Sequence, residues 1–479
     1  MEKPRIVFVS GNFNVLHPGH LRLLRFAKQC GDRLVVAVES DAMAGSAAHV
    51  PEKLRLEGVR SIAWVDAAFL VNEPIPAVIG KLRPDFVVKG QEHENRFNSE
   101  KSVVESYGGK LMFSSGESSF SSIDLIHKEF ESRQHAQIGL PDEFMARHRL
   151  SKDGINRLIS QFAQLKVCVV GDLIIDEYIS CEPLGMSQED PTLVVRPIDS
   201  QTFMGGAAIV AGHARGFGAT TKFVSISGND LSRKFALDKL ADLGVDSKIL
   251  IDESRPTTLK QRYRSQGKSL LRVSHLHQRF VSKELEEKIM SAVMSEIDEY
   301  DLIIFSDFNY GTLPTSLVQS ITKEASSRQI ALAADSQSSS QIGDIARFKD
   351  MCLITPTERE ARISTRNQDD GLVVMAEQLR KTSRAANILL TLGGEGVLIH
   401  AGREKTGGWL TDRVGALNPT PKDVAGAGDS MLTAAAMTLA VGGSIWEAAV
   451  LGSLTAAVQV SQLGNIPISA PLVKDLLVP

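Results

Sequence analysis

The chain has 479 residues, enough for two or three domains that each bury their own core. A hydrophobic fraction of 43%, a charged fraction of 23% and a formal charge of −4 leave no basic excess for nucleic acid or a membrane surface. Cys30, Cys168, Cys181 and Cys352 are scattered without CxxC spacing, and no apolar run reaches the roughly 18 residues of a membrane span, which predicts reduced thiols in a cytoplasmic protein with neither disulfide framework nor zinc site.

From the N-terminus, Arg5-Ile-Val-Phe-Val9 predicts a short apolar strand ending in Ser10-Gly-Asn-Phe-Asn14, with a helix from about Pro18 to Cys30. Between them lies His17-Pro-Gly-His20. Two imidazoles three residues apart across a strand-to-helix turn can both donate to a phosphate at the helix N-terminus as charge builds on it; the alternative is a pair of structural histidines. HxGH in this setting resembles the nucleotidyltransferase (cytidylyltransferase-like) superfamily. The resemblance continues through Gly31-Asp32-Arg33 with Ser40-Asp41, Pro51-Glu-Lys-Leu-Arg55, Pro84-Asp85 with Lys89-Gly90, and Ser121-Ser122. Over residues 5 to about 130 it is similar to the adenylyltransferase half of the bifunctional heptose-phosphate kinase/adenylyltransferases.

That resemblance implies a Rossmann-like nucleotidyltransferase domain over 1–132. In it Gly11, Asn12 and Phe13 contact the nucleotide, His17 and His20 act on its phosphates, and Ser121 and Ser122 meet the triphosphate at a second helix N-terminus. Arg55 and Lys89 are further nucleotide contacts by neighbourhood, while isolated basic residues also read as surface charges. Asn14 stands where the family carries Asp, keeping a carbonyl acceptor and losing the charge. Residues 133–150, with Arg133, His135, Pro141, Arg147, His148 and Arg149, have no periodic apolar face and read as a solvated linker; a helix from Lys152 to Gln164 and a strand at Val167–Val170 follow.

Strand–helix alternation then runs to the C-terminus and predicts a parallel sheet with helices on both faces. Residues 181–200 and 256–275 alternate apolar and polar over short runs, as in Leu270-Leu-Arg-Val273. Near the end comes Asp423-Val-Ala-Gly-Ala-Gly-Asp429, followed by the apolar run Met431–Leu439. Small residues ahead of a buried helix let backbone N–H groups crowd a phosphate, and Asp429 at that edge can take the proton of an attacking hydroxyl. A Gly-rich turn with an Asp cap is the other reading of the same letters. Residues 431–460 predict two buried helices.

Six motifs in order carry a second resemblance: Gly171-Asp172 with Asp176, Met204-Gly-Gly-Ala-Ala208, Ser306-Asp307, Thr355-Pro356 with Glu360, Thr391-Leu-Gly-Gly-Glu-Gly396, and 423–429. They are similar to the ribokinase-type (PfkB) sugar kinases. The resemblance implies a ribokinase-like α/β domain over 151–479 with a small β-lid that also pairs two subunits into a homodimer. ATP is then a substrate with Mg²⁺ near Glu360, and Asp429 is the base. Thr391, Gly393, Gly396, Gly426, Ala427 and Gly428 lie on the nucleotide side, and Asp172, Asp176, Gly205 and Gly206 hold a sugar phosphate.

Departures from the family pattern are Thr357 for Asn and Ala425 for Thr near the nucleotide, and Ile209 for Asn, Tyr310 for Lys and Gln337 for Lys near the sugar. Losing two lysines removes point charges for a substrate phosphate, so a changed sugar specificity is expected. The heptose enzymes also place the kinase first, whereas here the transferase-like half leads. Three functions stay open: a heptose-phosphate kinase and nucleotidyltransferase making an ADP-heptose-like product, the same pair of activities on another sugar or polyol, or one catalytic half joined to a nucleotide-binding module.

Overall fold

A computed structural model describes residues 4–14, 16, 18–44, 50–90, 98–114, 138–265, 268–338, 343–403 and 409–477. They form two compact units, 1–135 with 365–379 and 400–415, and 136–364 with 380–399 and 416–479.

In the first unit five strands form a parallel sheet: β1 (Ile6–Gly11), β2 (Arg33–Glu39), β3 (Ala67–Val71), β4 (Phe86–Gly90) and β5 (Lys110–Ser114), in the order β3-β2-β1-β4-β5. Val7 to Val9 and Leu34 to Val38 are buried, because parallel strands joined by helical crossovers are covered on both faces. The helix Pro18–Gln29 joins β1 to β2 and turns Leu23, Leu24, Phe26 and Ala27 inward. Strand order reverses between β1 and β4, and in such sheets the crevice beyond the strand ends at that reversal is where ligands bind.

The second unit is built on β6 (Lys166–Gly171), β9 (Thr220–Ser227), β10 (Asp246–Ile251), β13 (Leu302–Asp307), β14 (Ala331–Ser336), β15 (Leu353–Ile354) and β16 (Asn387–Thr391), running β10-β9-β6-β13-β14-β15-β16 with parallel neighbours throughout. Helix Ala427–Ala440 packs on β13 and β14, on helix Ala207–Gly216 and on helix Ile445–Val460. Contacts on all sides explain why it is apolar all round, with residues 429–438 buried. Ser444 and Glu447 start helix Ile445–Val460 as a capping box.

Four further strands, β7 (Leu173–Met186), β8 (Leu193–Gly206), β11 (Thr258–Ser265) and β12 (Lys268–His275), form a separate sheet in the order β12-β11-β7-β8. This lid begins earlier than the alternation at 181–200 indicates, since β7 leaves β6 immediately after Asp172. Register pairs Lys260 with Asp176, Arg262 with Tyr178 and Arg264 with Ser180, so alternate residues of both strands share one face. The connector also differs from a solvated linker: Asp142–Arg147 is a helix that buries Phe144 and Met145, and His148 stacks on Trp446 with ring centroids 3.9 Å apart. Two adjacent apolar residues are too short a run to show a helical period.

Where β6 ends, a Cβ on Gly171 would lie 1.9 Å from the Ser306 carbonyl oxygen and 2.8 Å from the Ala207 methyl. Gly171→Ala must therefore part β6 from β13, and we expect a loss of about 3 kcal/mol. A chemical denaturation midpoint equal to that of the parent would contradict this packing.

Candidate functional site

In the first unit, β1 delivers Gly11, Asn12 and Phe13 to the crevice between β1 and β4. Phe13 takes a left-handed conformation (φ 51°), and its ring lies 5.1 Å from that of His20 in the first turn of helix Pro18–Gln29. Gly11 leaves room for that ring, since a Cβ there would touch it at 3.4 Å. His17, Ser121 and Ser122 lie outside the described residues.

Arg55 and Lys89 are occupied by the protein. The Arg55 guanidinium is fully buried; it donates to the carbonyls of Val50 (2.7 Å), Asn12 (2.7 Å) and Glu39 (2.8 Å) and to Asp41 Oδ1 (2.6 Å). Three carbonyls and a carboxylate take up its fork, so Arg55 braces the turn after β1 and is not placed to touch a nucleotide. Lys89 on β4 pairs with Glu100 at 2.8 Å, with both side chains largely buried.

The second unit holds a cavity of about 420 Å³ that brings Asp176, Gly206, Gly426, Ala427, Gly428 and Asp429 together. Asp429 occupies the first turn of helix Ala427–Ala440, and its Oδ1 is buried with no hydrogen-bond partner among the described residues. Burial, then the nearby charge of Asp176, push its carboxyl up to about 7, while Lys260 pulls it down. Asp423 shapes the preceding loop: its carboxylate accepts from the N–H groups of Ala425 (3.2 Å) and Gly464 (3.1 Å). Gly426 is left-handed (φ 75°), and a Cβ there would lie 2.4 Å from Asn465 Oδ1. Asn465 in turn donates to Asp176 Oδ2 at 3.2 Å, and Gly205 lies so close that a Cβ would meet that oxygen at 2.3 Å.

The remaining expected residues sit elsewhere. Asp172 faces the segment 308–312, accepting from the N–H groups of Phe308 (2.8 Å), Tyr310 (3.1 Å) and Thr312 (3.1 Å), so its carboxylate is spent on backbone and not available to a substrate. Thr391 closes β16 beside Thr357, and Gly393 and Gly396 form the left-handed corners of the turn that follows. Glu360 accepts from Ser338 N–H (2.8 Å) and from the N–H (2.8 Å) and hydroxyl (2.7 Å) of Thr357, while Thr357 Oγ1 accepts from Glu360 N–H (3.3 Å). Thr357 thus makes a capping box with Glu360 where the family has Asn. Among the described residues no group of three His, Cys, Asp or Glu is arranged to hold a metal ion.

Sequence reasoning missed Lys260, Arg262 and Arg272, which line the cavity from β11 and β12. The signal was present as every second residue of 260–264 being basic, Lys260, Arg262, Arg264. Cations expected from positions 310 and 337 therefore enter from the lid.

Comparison with known proteins agrees with both halves. The family described as pfkB family carbohydrate kinase matches residues 164–471, and the chain belongs to that family. A second family, described as Cytidylyltransferase-like, matches residues 8–127. The "Bifunctional protein HldE" of Desulfatibacillum aliphaticivorans is 29% identical over 324 residues, 67% of this chain and 64% of that protein. Its namesake from Bradyrhizobium diazoefficiens is 29% identical over 326 residues, 65% and 63% of the two chains. The chain thus spans just under two thirds of the length of these relatives. Among solved structures, phosphofructokinase-2 of Escherichia coli (TM-score 0.53, 14% identity, 65% of this chain and 98% of that one) and ribokinase of Thermotoga maritima (0.52, 20%, 65% and 99%) share the kinase fold. No helix among the described residues is long and apolar enough to cross a membrane.

Removing the Arg55 brace leaves three carbonyls without their charged donor. Arg55→Met is expected to destabilise the first unit by about 3 kcal/mol. Hydrogen exchange at β1 and β2 should accelerate accordingly; unchanged protection there would refute the bracing role.

Proposed function

We propose that the second unit transfers the γ-phosphoryl group of ATP to the anomeric hydroxyl of a sugar that already carries a phosphate, and that the N-terminal half then joins a nucleotidyl group to the resulting sugar 1-phosphate. The observation that carries this reading is the cavity in which Asp429 and Asp176 face Lys260, Arg262 and Arg272. Asp429 takes the hydroxyl proton as the oxygen attacks phosphorus, and ADP leaves. The N–H groups of 426–429 and the positive end of helix Ala427–Ala440 stabilise the charge on the transferred group. Arg262 and Arg272 hold the phosphate already present on the acceptor, as planar forks suited to phosphate oxygens. Asp176, oriented by Asn465, accepts from sugar hydroxyls.

Mg²⁺ bound with the nucleotide would screen the charge of its phosphates. Three of the roughly four acceptor sites on the Glu360 carboxylate are filled, which suits a single or water-mediated contact to such an ion. In the N-terminal half a sugar 1-phosphate oxygen attacks the α-phosphorus of the nucleoside triphosphate and pyrophosphate leaves, with His17 and His20 donating to the phosphates. The relatives named bifunctional support a heptose phosphate as acceptor. Tyr310 and Gln337, standing in place of two lysines, favour a different phosphorylated sugar as the second reading. The exposed outer half of the lid, with Leu184, Met186 and Ile198 open to solvent, suits a homodimer contact. Phosphorylated substrates and reduced cysteines fit a cytoplasmic enzyme.

Asp429→Asn should lower phosphoryl transfer by a factor on the order of 10³ while nucleotidyl transfer persists, and His17→Ala should do the reverse. An Asp429→Asn variant that keeps its phosphoryl-transfer rate removes the base assignment. The pH profile carries a sign as well. A carboxyl raised to about 7 works as a base only when ionised, so kcat/KM for phosphoryl transfer should fall as pH drops below about 7. A rate that stays flat down to pH 5 would contradict the buried-base geometry.

A further inference from the structure

Segment 307–312 is held more tightly than a connecting loop requires. Asp172 takes the N–H groups of Phe308, Tyr310 and Thr312 from one side. From the other, the buried Arg255 donates to the carbonyls of Tyr310 (2.8 Å) and Arg279 (2.9 Å) while paired with Asp252 at 2.6 Å. Asn309 (φ 60°) and Gly311 (φ 100°) are both left-handed, and a Cβ on Gly311 would lie 2.1 Å from the Arg279 carbonyl oxygen. A backbone so constrained persists because its surroundings over-determine it.

Its product is a pair of aromatic rings. Phe308 and Tyr310 lie near-parallel at 26° with centroids 6.4 Å apart, both buried, on a small cluster with Ile174. The Lys260 ammonium sits 5.0 Å from each of their centroids, the distance of a cation–π contact. Lys260 and Phe308 line the same cavity as Asp429.

We propose that the 307–312 loop is a slot that fixes the Lys260 ammonium in the cavity it shares with the Asp429 carboxylate and favours the ionised form of that carboxylate, with Asp172 and Arg255 as positioning residues acting through Phe308 and Tyr310. The proposal rests on the kinase reading of Asp429. Every element packed on helix Ala427–Ala440 bears on the balance. Asp176 on β7 opposes ionisation, Asp335 on β14 has its own carboxyl pushed well up by burial and by the charges of Glu360 and Asp429, and Arg262 and Arg272 bring positive charge from the lid. Asp423 in the preceding loop is held by two N–H groups and lies 3.8 Å from Arg264. On β13, Asp307 is bound to Arg347. His213 on helix Ala207–Gly216 is kept neutral by burial and accepts from Ile468 N–H, and Glu447 is taken up in its capping box. Lys260 is therefore held by the Phe308 and Tyr310 rings, while Arg262 lies over the Tyr178 ring at 5.1 Å and pairs with Asp176 at 3.5 Å.

The test is a ¹³C NMR titration of carboxyl-labelled aspartate in the full chain, with the Asp429 signal assigned by its loss in Asp429→Asn. A midpoint near 7 is expected for the parent, rising by about 1 unit or more in Lys260→Met. A smaller rise is expected in Asp172→Asn and in the double variant Phe308→Leu/Tyr310→Leu, which removes the rings and leaves the clamp intact should Asp172→Asn fail to fold. An unchanged midpoint in Lys260→Met, or a rise there with none in the ring variant, overturns the proposal. The titration needs no turnover, so its failure is distinct from failure of the kinase reading, which shows as phosphoryl transfer surviving in Asp429→Asn.

Discussion

Two carboxylates buried in one cavity repel each other and have lost the water that would screen them. Asp176 and Asp429 are in that position, and removing a charge from water costs several kcal/mol unless an opposite charge or hydrogen-bond donors meet it. Among the described residues the core sheet brings no cation to this cavity and the lid brings three. Lys260 and Arg262 lie on β11 and Arg272 on β12, so the electrostatic balance of the site depends on a second sheet folding over it. A lid of this kind does more than exclude water. It carries positive charge that partly offsets the burial of the two acids.

The same crowding explains the glycines. Gly205 is small because the Asp176 carboxylate needs its Cβ volume, and Gly426 because the Asn465 carboxamide does, so the di-Gly and GAGD motifs are shaped by side chains arriving from other elements. Asn465 links the two, holding Asp176 and lying against Gly426. In the first unit, Arg55 gathers the carbonyls of Asn12 and Glu39 with Asp41, and so fixes the turn after β1 from behind. In both units a residue type that suggests ligand contact turns out to hold backbone, Arg55 by donating to carbonyls and Asp172 by accepting from N–H groups.

Much of this was legible in the sequence. The parallel sheets followed from apolar strands alternating with helices, and the two buried helices over 431–460 from an apolar run broken by Gly442-Gly443. Asp429 and Asp176 were identified by motif, and both face the cavity. Asp172, Arg55 and Lys89 read as ligand contacts because a sequence does not reveal that a carboxylate meets three N–H groups 136–140 residues away, or that a guanidinium already donates to three carbonyls and a carboxylate. The lid cations escaped because the family pattern points to positions 310 and 337, whereas here the charge sits on β11 and β12, reached through strand register. Thr357 shows the reverse case: as an apparent loss of a family Asn it completes a capping box with Glu360.

On the proposed function, the lid cations Lys260, Arg262 and Arg272 select an acceptor that already bears a phosphate. Mass spectrometry of products formed with ATP, CTP and Mg²⁺ tests it, using sugars offered both free and as phosphates, heptose 7-phosphate among them. A sugar phosphate should become a bisphosphate, and then a nucleotide sugar, while the matching free sugar is left unchanged. Phosphorylation of the free sugar as fast as its phosphate, or of no phosphorylated sugar in the set, would contradict it.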